Sequence, residues 1–263
     1  MAGPDTAQEP TIDSALLRHS VQTLAHAASF VEASAALNDV ARAIGMPTMA
    51  WAPEVARPKF DAHMDAFLRE QGWPDEVLTL WWGRNVMLSS PIYIRCRFKD
   101  VPFVTDVHGG GADLGRDNQR VAQIMLEMGL KALITAPVHL PRGQVAMVTW
   151  GGPLEPDAAR VVLARTKPEL LAAAHFFMDA FNTHVGVAET REEDLSRLTP
   201  REWDCLRLTA QGYREAEVGS VVGLAPTTVR FHLDNVARKL GASNRTHAVA
   251  IAVQLGLLGP IGS

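Results

Sequence analysis

LTPREWDCLRLTAQGYREAEVGSVVGLAPTTVRFHLDNVARKLGASNRTHAVAIAVQLGLL, residues 198–258, decides the architecture of the C-terminal part of the chain. Thr199-Pro200-Arg201-Glu202 predicts a helix start: Thr199 caps, Pro200 takes the first helical position, and the Glu202 carboxylate reaches back to the cap amide. Gly212 stops this helix. A second is expected from about Arg214 to Val222, with Gly223 as the turn. A third begins near Ala225-Pro226 and runs to Leu240, and after Gly241 a fourth follows from Asn244 to about Leu255. In the third helix Val229, Leu233, Val236 and Leu240 step by four, three and four, which makes one apolar stripe. Thr227, Arg230, Phe231, Asp234 and Arg238 fall outside it. Hydroxyls and backbone amides at a helix start suit phosphate, and arginines further along suit base edges in a major groove. The same pattern also fits a small helical bundle with a solvated face.

Working outward, the segment 184–197, HVGVAETREEDLSR, is polar and loses apolar periodicity. It reads as a linker over 186–197 between a domain at 1–185 and one at 198–263. The front domain alternates helical and strand patterns. Asp13 to about Ile44 reads as helix with a break near residue 30, and Met46 to Val55 as a first strand despite Pro47 and Pro53. Pro58 would start a second helical stretch carrying Phe60, Met64 and Phe67. WPDEVLTLWWGRN holds Trp73, Trp81 and Trp82 and is ambiguous. IYIRCRFKDV, bracketed by Pro91 and Pro102, fits strand or helix. HGGGADLG, residues 108–115, reads as a loop and lacks the arrangement of a phosphate-binding motif. Asp117 to Met128 reads as helix, LITAPVHL and QVAMVTW as antiparallel strands joined by PRG, and Pro156 to about Phe181 as a long helix. The expected front domain is therefore an α/β sandwich, helices packed on an antiparallel sheet.

Composition narrows the function. The chain has 263 residues and a formal charge of −4, distributed unevenly. Seven basic and five acidic residues lie from Thr199 to Ser263, a surplus of two positive charges, and the remainder carries six negative ones. A mildly basic tail on an acidic body suits contact with phosphate. Cys96 and Cys205 read as small buried groups rather than a disulfide. The N-terminus lacks a basic segment followed by an apolar run, and no apolar run reaches membrane length, so a cytoplasmic protein without membrane contact is expected. His63, His108, His139, His175 and His184 are scattered, without metal-ligand spacing, and no nucleophile elbow or HExxH is present. Neither an enzyme nor a bound cofactor is expected.

The tail resembles the C-terminal domain of the LuxR-type regulators over Leu198–Leu258. LTPRE, Gly212, Glu217-Val218, Gly223-Leu224, TTVRFH, RKLG and NRTHAVA all stand in register. The resemblance implies a four-helix helix-turn-helix domain whose third helix reads double-stranded DNA, and a homodimer on an inverted repeat. It makes Thr227, Thr228, Arg230, Phe231, Asn235 and Arg238 the candidates for base or phosphate contact. Phe231 stands where the family commonly has a small or polar residue, and a phenyl ring there can touch a thymine methyl. The fourth helix, with Ala248, Val249, Ile251, Ala252 and Val253, would be the dimer contact.

The front domain lacks the acidic pair, strand-end Asp and Lys of a phosphorylation-controlled receiver. It resembles the autoinducer-binding domain of quorum-sensing regulators, which sense acyl-homoserine lactones. The likeness is clearest at MGLKALITAPVHLPRGQVAMVTWGG, residues 128–152, and weaker at 73–106, where Pro91, Cys96-Arg97, Pro102-Phe103 and Asp106 keep the frame. Carried over position by position, the aspartate that holds the ligand amide is Ser90 here. The lactone-binding tryptophan falls at Val77, the conserved tyrosine at Trp81 and a second tryptophan at Thr105. A slip of register would bring Trp73 or Trp82 into one of these places. Trp73, Val77, Trp81, Trp82, Ser90 and Thr105 are thus the candidate ligand residues. With most polar anchors replaced, the resemblance implies a small hydrophobic signal, either an acyl-homoserine lactone or a different molecule. Alternatively, the domain takes no ligand and serves dimerisation or protein docking, with the tryptophans as core.

Overall fold

The computed structural model describes residues 10–55, 60–83, 86, 89–109, 115–140, 144–185, 198–254 and 258. The chain divides into two compact units, one built from Met1–His139 and Gln144–Gly186, the other mainly from Val187–Ser263. The first contains, in order, α1 (Ser14–Ala25), α2 (Phe30–Ala43), β1 (Thr48–Ala52), α3 (Ala62–Glu70), α4 (Asp75–Trp81), α5 (Pro91–Phe98), β2 (Phe103–Asp106), α6 (Arg116–Glu127), β3 (Ala132–Leu140), β4 (Gln144–Gly152) and α7 (Pro156–His184). The second contains α8 (Pro200–Ala210), α9 (Glu215–Val222), α10 (Pro226–Lys239) and α11 (Arg245–Gln254). The α/β sandwich and the helical tail are both as the sequence predicts.

Local chemistry sets the breaks. Asp13 accepts the amides of Ala15 and Leu16 to start α1, and Ser29 accepts that of Glu32 to start α2, so the predicted long helix divides at residues 26–29. β1 is shorter than Met46–Val55 because Pro47 and Pro53 flank it and cannot donate to a ladder. The helix expected from Pro58 begins later, where Asp61 caps the amide of Met64 at 2.8 Å. Pro58 itself lies outside the described residues, as do most of the 108–115 loop and the whole 186–197 linker. Phe60 precedes the helix, is exposed, and edges Trp82 with ring centroids 4.9 Å apart. Both ambiguous segments are helical: α4 follows Pro74, and α5 opens with Pro91 at its first turn. The strand β2 after Pro102 was not anticipated.

The sheet has the order β1-β4-β3-β2. β1 pairs antiparallel with β4, Ala50 opposite Thr149, and β2 with β3, Thr105 opposite Leu133. Leu133 lies over Gly151, where an added Cβ would meet its Cδ2 at 2.8 Å. Thr135 meets Thr149 hydroxyl to hydroxyl at 3.0 Å. The two contacts step in opposite directions, so β3 and β4 are antiparallel as well. Opposed residues share a face and neighbours alternate, so the two faces of the sheet differ in composition. One carries Met49, Trp51, Ile134, Val148 and Trp150. Trp51 packs there among Phe30, Phe177 and Phe181 of α2 and α7 at centroid distances of 4.7–5.9 Å. The other carries the hydroxyls of Thr105, Thr135 and Thr149 among Ala50, Ala52, Phe103, Leu133 and Met147.

In the second unit the predicted capping box is present. Thr199 Oγ1 accepts the Glu202 amide at 3.3 Å, and Glu202 Oε2 accepts the Thr199 amide at 2.7 Å. Gly223 takes a left-handed conformation, φ 70°, that turns the chain from α9 to α10. Val229, Leu233 and Val236 are buried as the stripe requires. The first two pack with Cys205 and Val218, and Val236 packs with Leu206, Ala248 and Ala252.

Candidate DNA-reading helix and candidate signal face

With its stripe turned inward, α10 leaves the predicted DNA residues outside. Thr227, Arg230, Phe231 and Arg238 are exposed, and Thr228 and Asn235 half-buried. Phe231 is 62% exposed, and its only ring contact among the described residues is an edge to His232 at 6.0 Å. Arg238 Nη2 donates to Asn235 Oδ1 at 3.0 Å, so two candidates one turn apart hold each other. Arg230 donates through Nε and Nη2 to one oxygen of Glu215, at 3.2 and 3.0 Å, and Arg245 donates to the other. Glu215 sits in the first turn of α9 and was not singled out from the sequence. Its signal there was an acid two residues before Glu217, in a tail otherwise suited to phosphate.

Helix α11 buries Ala248 and Ala252 against α10, while Val253 remains 45% exposed and Ile251 half-buried. Its predicted apolar surplus is therefore real and only partly used within the unit.

In the first unit the hydroxyl-bearing sheet face lies under α5. The Arg95 guanidinium stacks 3.9 Å above the Phe103 ring, on the face that Thr105 shares, and Nη1 donates to Val104 O at 3.2 Å. Arg97 Nη2 donates to Val55 O at 2.9 Å, just beyond β1, and α5 also packs on β4. Helix α4 joins from the side. Trp81 Nε1 donates to Tyr93 OH at 2.8 Å, and the two rings lie edge to face. Trp73 packs against Trp81 at 5.8 Å and donates its indole N–H to Met49 O at 2.9 Å.

The predicted ligand residues thus separate. Trp73, Val77 and Trp81 are buried around α4. Trp82 is half-buried and turned to Asp65, whose Oδ1 accepts its N–H at 2.8 Å. The hydrogen bonds from Arg69 and Trp82 hold the Asp65 carboxyl below its ordinary range. Ser90 stands half-buried at the start of α5, where its hydroxyl makes no cap. Thr105 lies on the sheet face, its Oγ1 buried and without a hydrogen-bond partner among the described residues. Beside these stand three residues that sequence reasoning passed over: Tyr93, Thr135 and Thr149, all buried. The threonines were legible as the single hydroxyl in each of two largely apolar strands. Burial pushes the Tyr93 phenol up, so it stays a neutral donor. Burial likewise pushes the Cys96 thiol up to about 12, and both cysteines are buried as expected. Among the described residues no group of His, Cys, Asp and Glu could hold a metal, and no helix is long and apolar enough to cross a membrane.

Comparison with known proteins covers both units. Residues 29–181 match the autoinducer binding domain, and residues 196–252 match the bacterial regulatory proteins of the luxR family. The quorum sensing-dependent transcriptional regulator RpaR of Rhodopseudomonas palustris is 30% identical over 202 residues, 76% of this chain and 79% of that protein. The transcriptional activator BjaR1 of Bradyrhizobium diazoefficiens is 28% identical over 206 residues, 77% of this chain and 81% of that one. The fold is shared with SdiA of Escherichia coli, TM-score 0.60 at 18% identity, over 93% of this chain and 98% of that one. SdiA has also been solved in complex with octanoyl-rac-glycerol. These families consist of regulators, not enzymes, and the chain belongs to the LuxR family: a ligand-responsive transcription regulator with an autoinducer-binding domain ahead of a helix-turn-helix DNA-binding domain.

Proposed function

We propose that this regulator works as a homodimer on an inverted repeat, with residues 198–263 reading DNA and residues 1–185 holding a small, largely apolar signal, joined through 186–197. The observation that carries the DNA half is the division of α10: Val229, Leu233 and Val236 are inside, while Thr227, Arg230, Phe231 and Arg238 face solvent. Thr227 and Thr228 at the helix start meet phosphate. Arg230, Phe231 and Asn235 reach base edges, and Arg238 supports Asn235 or a phosphate. The outer edge of α11, with half-buried Ile251 and exposed Val253, supplies the apolar seam between two DNA-binding domains, whose twofold symmetry matches that of the repeat. The signal lies under α4 and α5, near Trp73, Val77 and Trp81 with Ser90 and Thr105 at its polar margin, and Trp82 serves the packing of α4. Its binding stabilises the dimer geometry that fits DNA, a linkage effect.

The test begins with selection of duplexes from a random pool by the full chain. The expected product is an inverted repeat bound by two chains. Arg230→Ala should then cost roughly 1–3 kcal/mol on the selected site and less on unrelated DNA. Equal losses on all sequences would assign Arg230 to phosphate alone, and selection of a single half-site would contradict the dimer.

A further inference from the structure

The hydrogen-bonding groups around the hydroxyl-bearing sheet face indicate what kind of signal it can hold. The N–H of Trp73 is taken by Met49 O, that of Trp81 by Tyr93 OH, and that of Trp82 by Asp65. The nearby carboxylates are engaged too. Asp65 receives Trp82 and Arg69, and Glu76 receives Arg120 through two bonds at 2.6 and 2.8 Å. Among the described residues here, two hydroxyls have hydrogen-bonding capacity left over. Tyr93 accepts from Trp81, but its own hydroxyl hydrogen has no acceptor among the described residues. Thr105 Oγ1 is buried and bonded to nothing described. Helix α5, which carries Tyr93, packs on the sheet that bears Thr105, Thr135 and Thr149, and its Arg95 stacks on Phe103 of the face that Thr105 shares. Buried polar atoms left over after the chain has satisfied its own are costly unless something outside the chain completes them.

We propose that the signal is a neutral, mostly apolar molecule recognised through an oxygen acceptor, a carbonyl of the ester or ketone kind, to which Tyr93 donates with Thr105 as second partner. Among the described residues around this face Asp65 and Glu76 are engaged, so an amide N–H would find no free carboxylate there and an ester or ketone is at no disadvantage. The Trp81 indole, by donating to Tyr93, points the phenol hydrogen away from itself and strengthens it as a donor. Thr135 and Thr149 satisfy each other and add a weak contact from Thr149 Oγ1 to Met147 Sδ at 3.9 Å. They leave the rest of this floor effectively apolar. This inference rests on the reading of residues 1–185 as the signal-binding domain.

The test uses two matched probe pairs that differ only by N–H against O. One pair is N-octanoyl-homoserine lactone and its ester isostere, the other N-methyloctanamide and methyl octanoate. Binding to the full chain is read by tryptophan fluorescence and by the rise in Tm. The ester member of at least one pair should bind as well as its amide or better. Tyr93→Phe, which keeps the ring but strands the Trp81 indole N–H, should lower the ligand-free Tm and weaken the ester about tenfold. An amide preferred tenfold or more over its ester, or an ester unaffected by Tyr93→Phe, would overturn the inference and leave the domain a receptor. Failure of all four probes to bind would overturn the receptor reading itself, and this inference with it.

Discussion

Glu215 of α9 holds Arg230 of α10: one carboxylate oxygen accepts both Nε and Nη2 of the arginine, and the other accepts Arg245 at the start of α11. One acid therefore ties the second, third and fourth helices of the DNA-binding unit together and restrains a proposed reading side chain before any DNA arrives. The arginine remains 61% exposed, so the pair itself contributes little stability. Its consequence is orientational. Glu215→Gln should remove a negative charge near the phosphates and loosen Arg230. Binding to unrelated duplexes should tighten by roughly 0.5 kcal/mol, and the preference for the selected site should fall by about 1 kcal/mol. Titrations of both duplexes over a range of salt measure this. An unchanged specificity ratio would show that Arg230 is not oriented by Glu215.

Phe231 makes a separate prediction, because its ring is held by little in the unit. Phe231→Ala should change stability by less than about 0.5 kcal/mol. In a binding assay across single-base variants of the selected site, it should lose about 1 kcal/mol of preference at one position, where a thymine methyl is read. A uniform loss at every position, or a large fall in Tm, would contradict that role.

Glu202 is buried, 3% exposed, and receives Lys239 Nζ at 2.6 Å as well as the Thr199 amide. Burial works to raise its pKa. The Lys239 ammonium and the Thr199 hydrogen bonds overcome that and leave it below the ordinary carboxylate value. A carboxyl depressed in the folded state contributes stability that is full above its unfolded pKa and lost as pH falls through the folded value. The DNA-binding unit should thus be as stable at pH 6 as at pH 7 and weaken below about pH 4.5. Glu202→Gln should cost roughly 2 kcal/mol at neutral pH and flatten that acid limb. Thermal melts from pH 3 to 7 would show it. An unaltered acid limb in the variant would exclude Glu202 as its source.

Thr135 and Thr149 give a test of the sheet face. Thr149→Val alone strands the Thr135 hydroxyl and should cost about 1 kcal/mol or more, whereas changing both to Val should be closer to neutral. A double variant as destabilised as the sum of the singles would mean the hydroxyls do not pair.

Much of the DNA-binding unit was legible in the sequence because its signals are local. Thr199, Pro200 and Glu202 cap a helix within four residues, Gly223 makes a turn by itself, and the stripe from Val229 to Val236 has a helical period. What escaped depends on distant partners. Glu215 gains its meaning from Arg230 and Arg245, fifteen and thirty residues away. In the front domain, α4 and α5 are seven and eight residues long, too short for their apolar residues to separate a helical period from strand alternation, so helix and strand remained open there. Strand β2 has four residues and exists because β3 pairs with it. The face shared by Thr105, Thr135 and Thr149 is a product of register, which only the pairing of three strands reveals.

If the front domain holds a signal that governs DNA binding, the two should be lost together. Protein purified from its native host, denatured and extracted, can be examined by mass spectrometry beside its affinity for the selected duplex before and after removal of small molecules. One neutral, largely apolar compound per chain is expected, with a loss of specific binding when it is removed. A clean chain that binds its duplex unaided with undiminished affinity would contradict it.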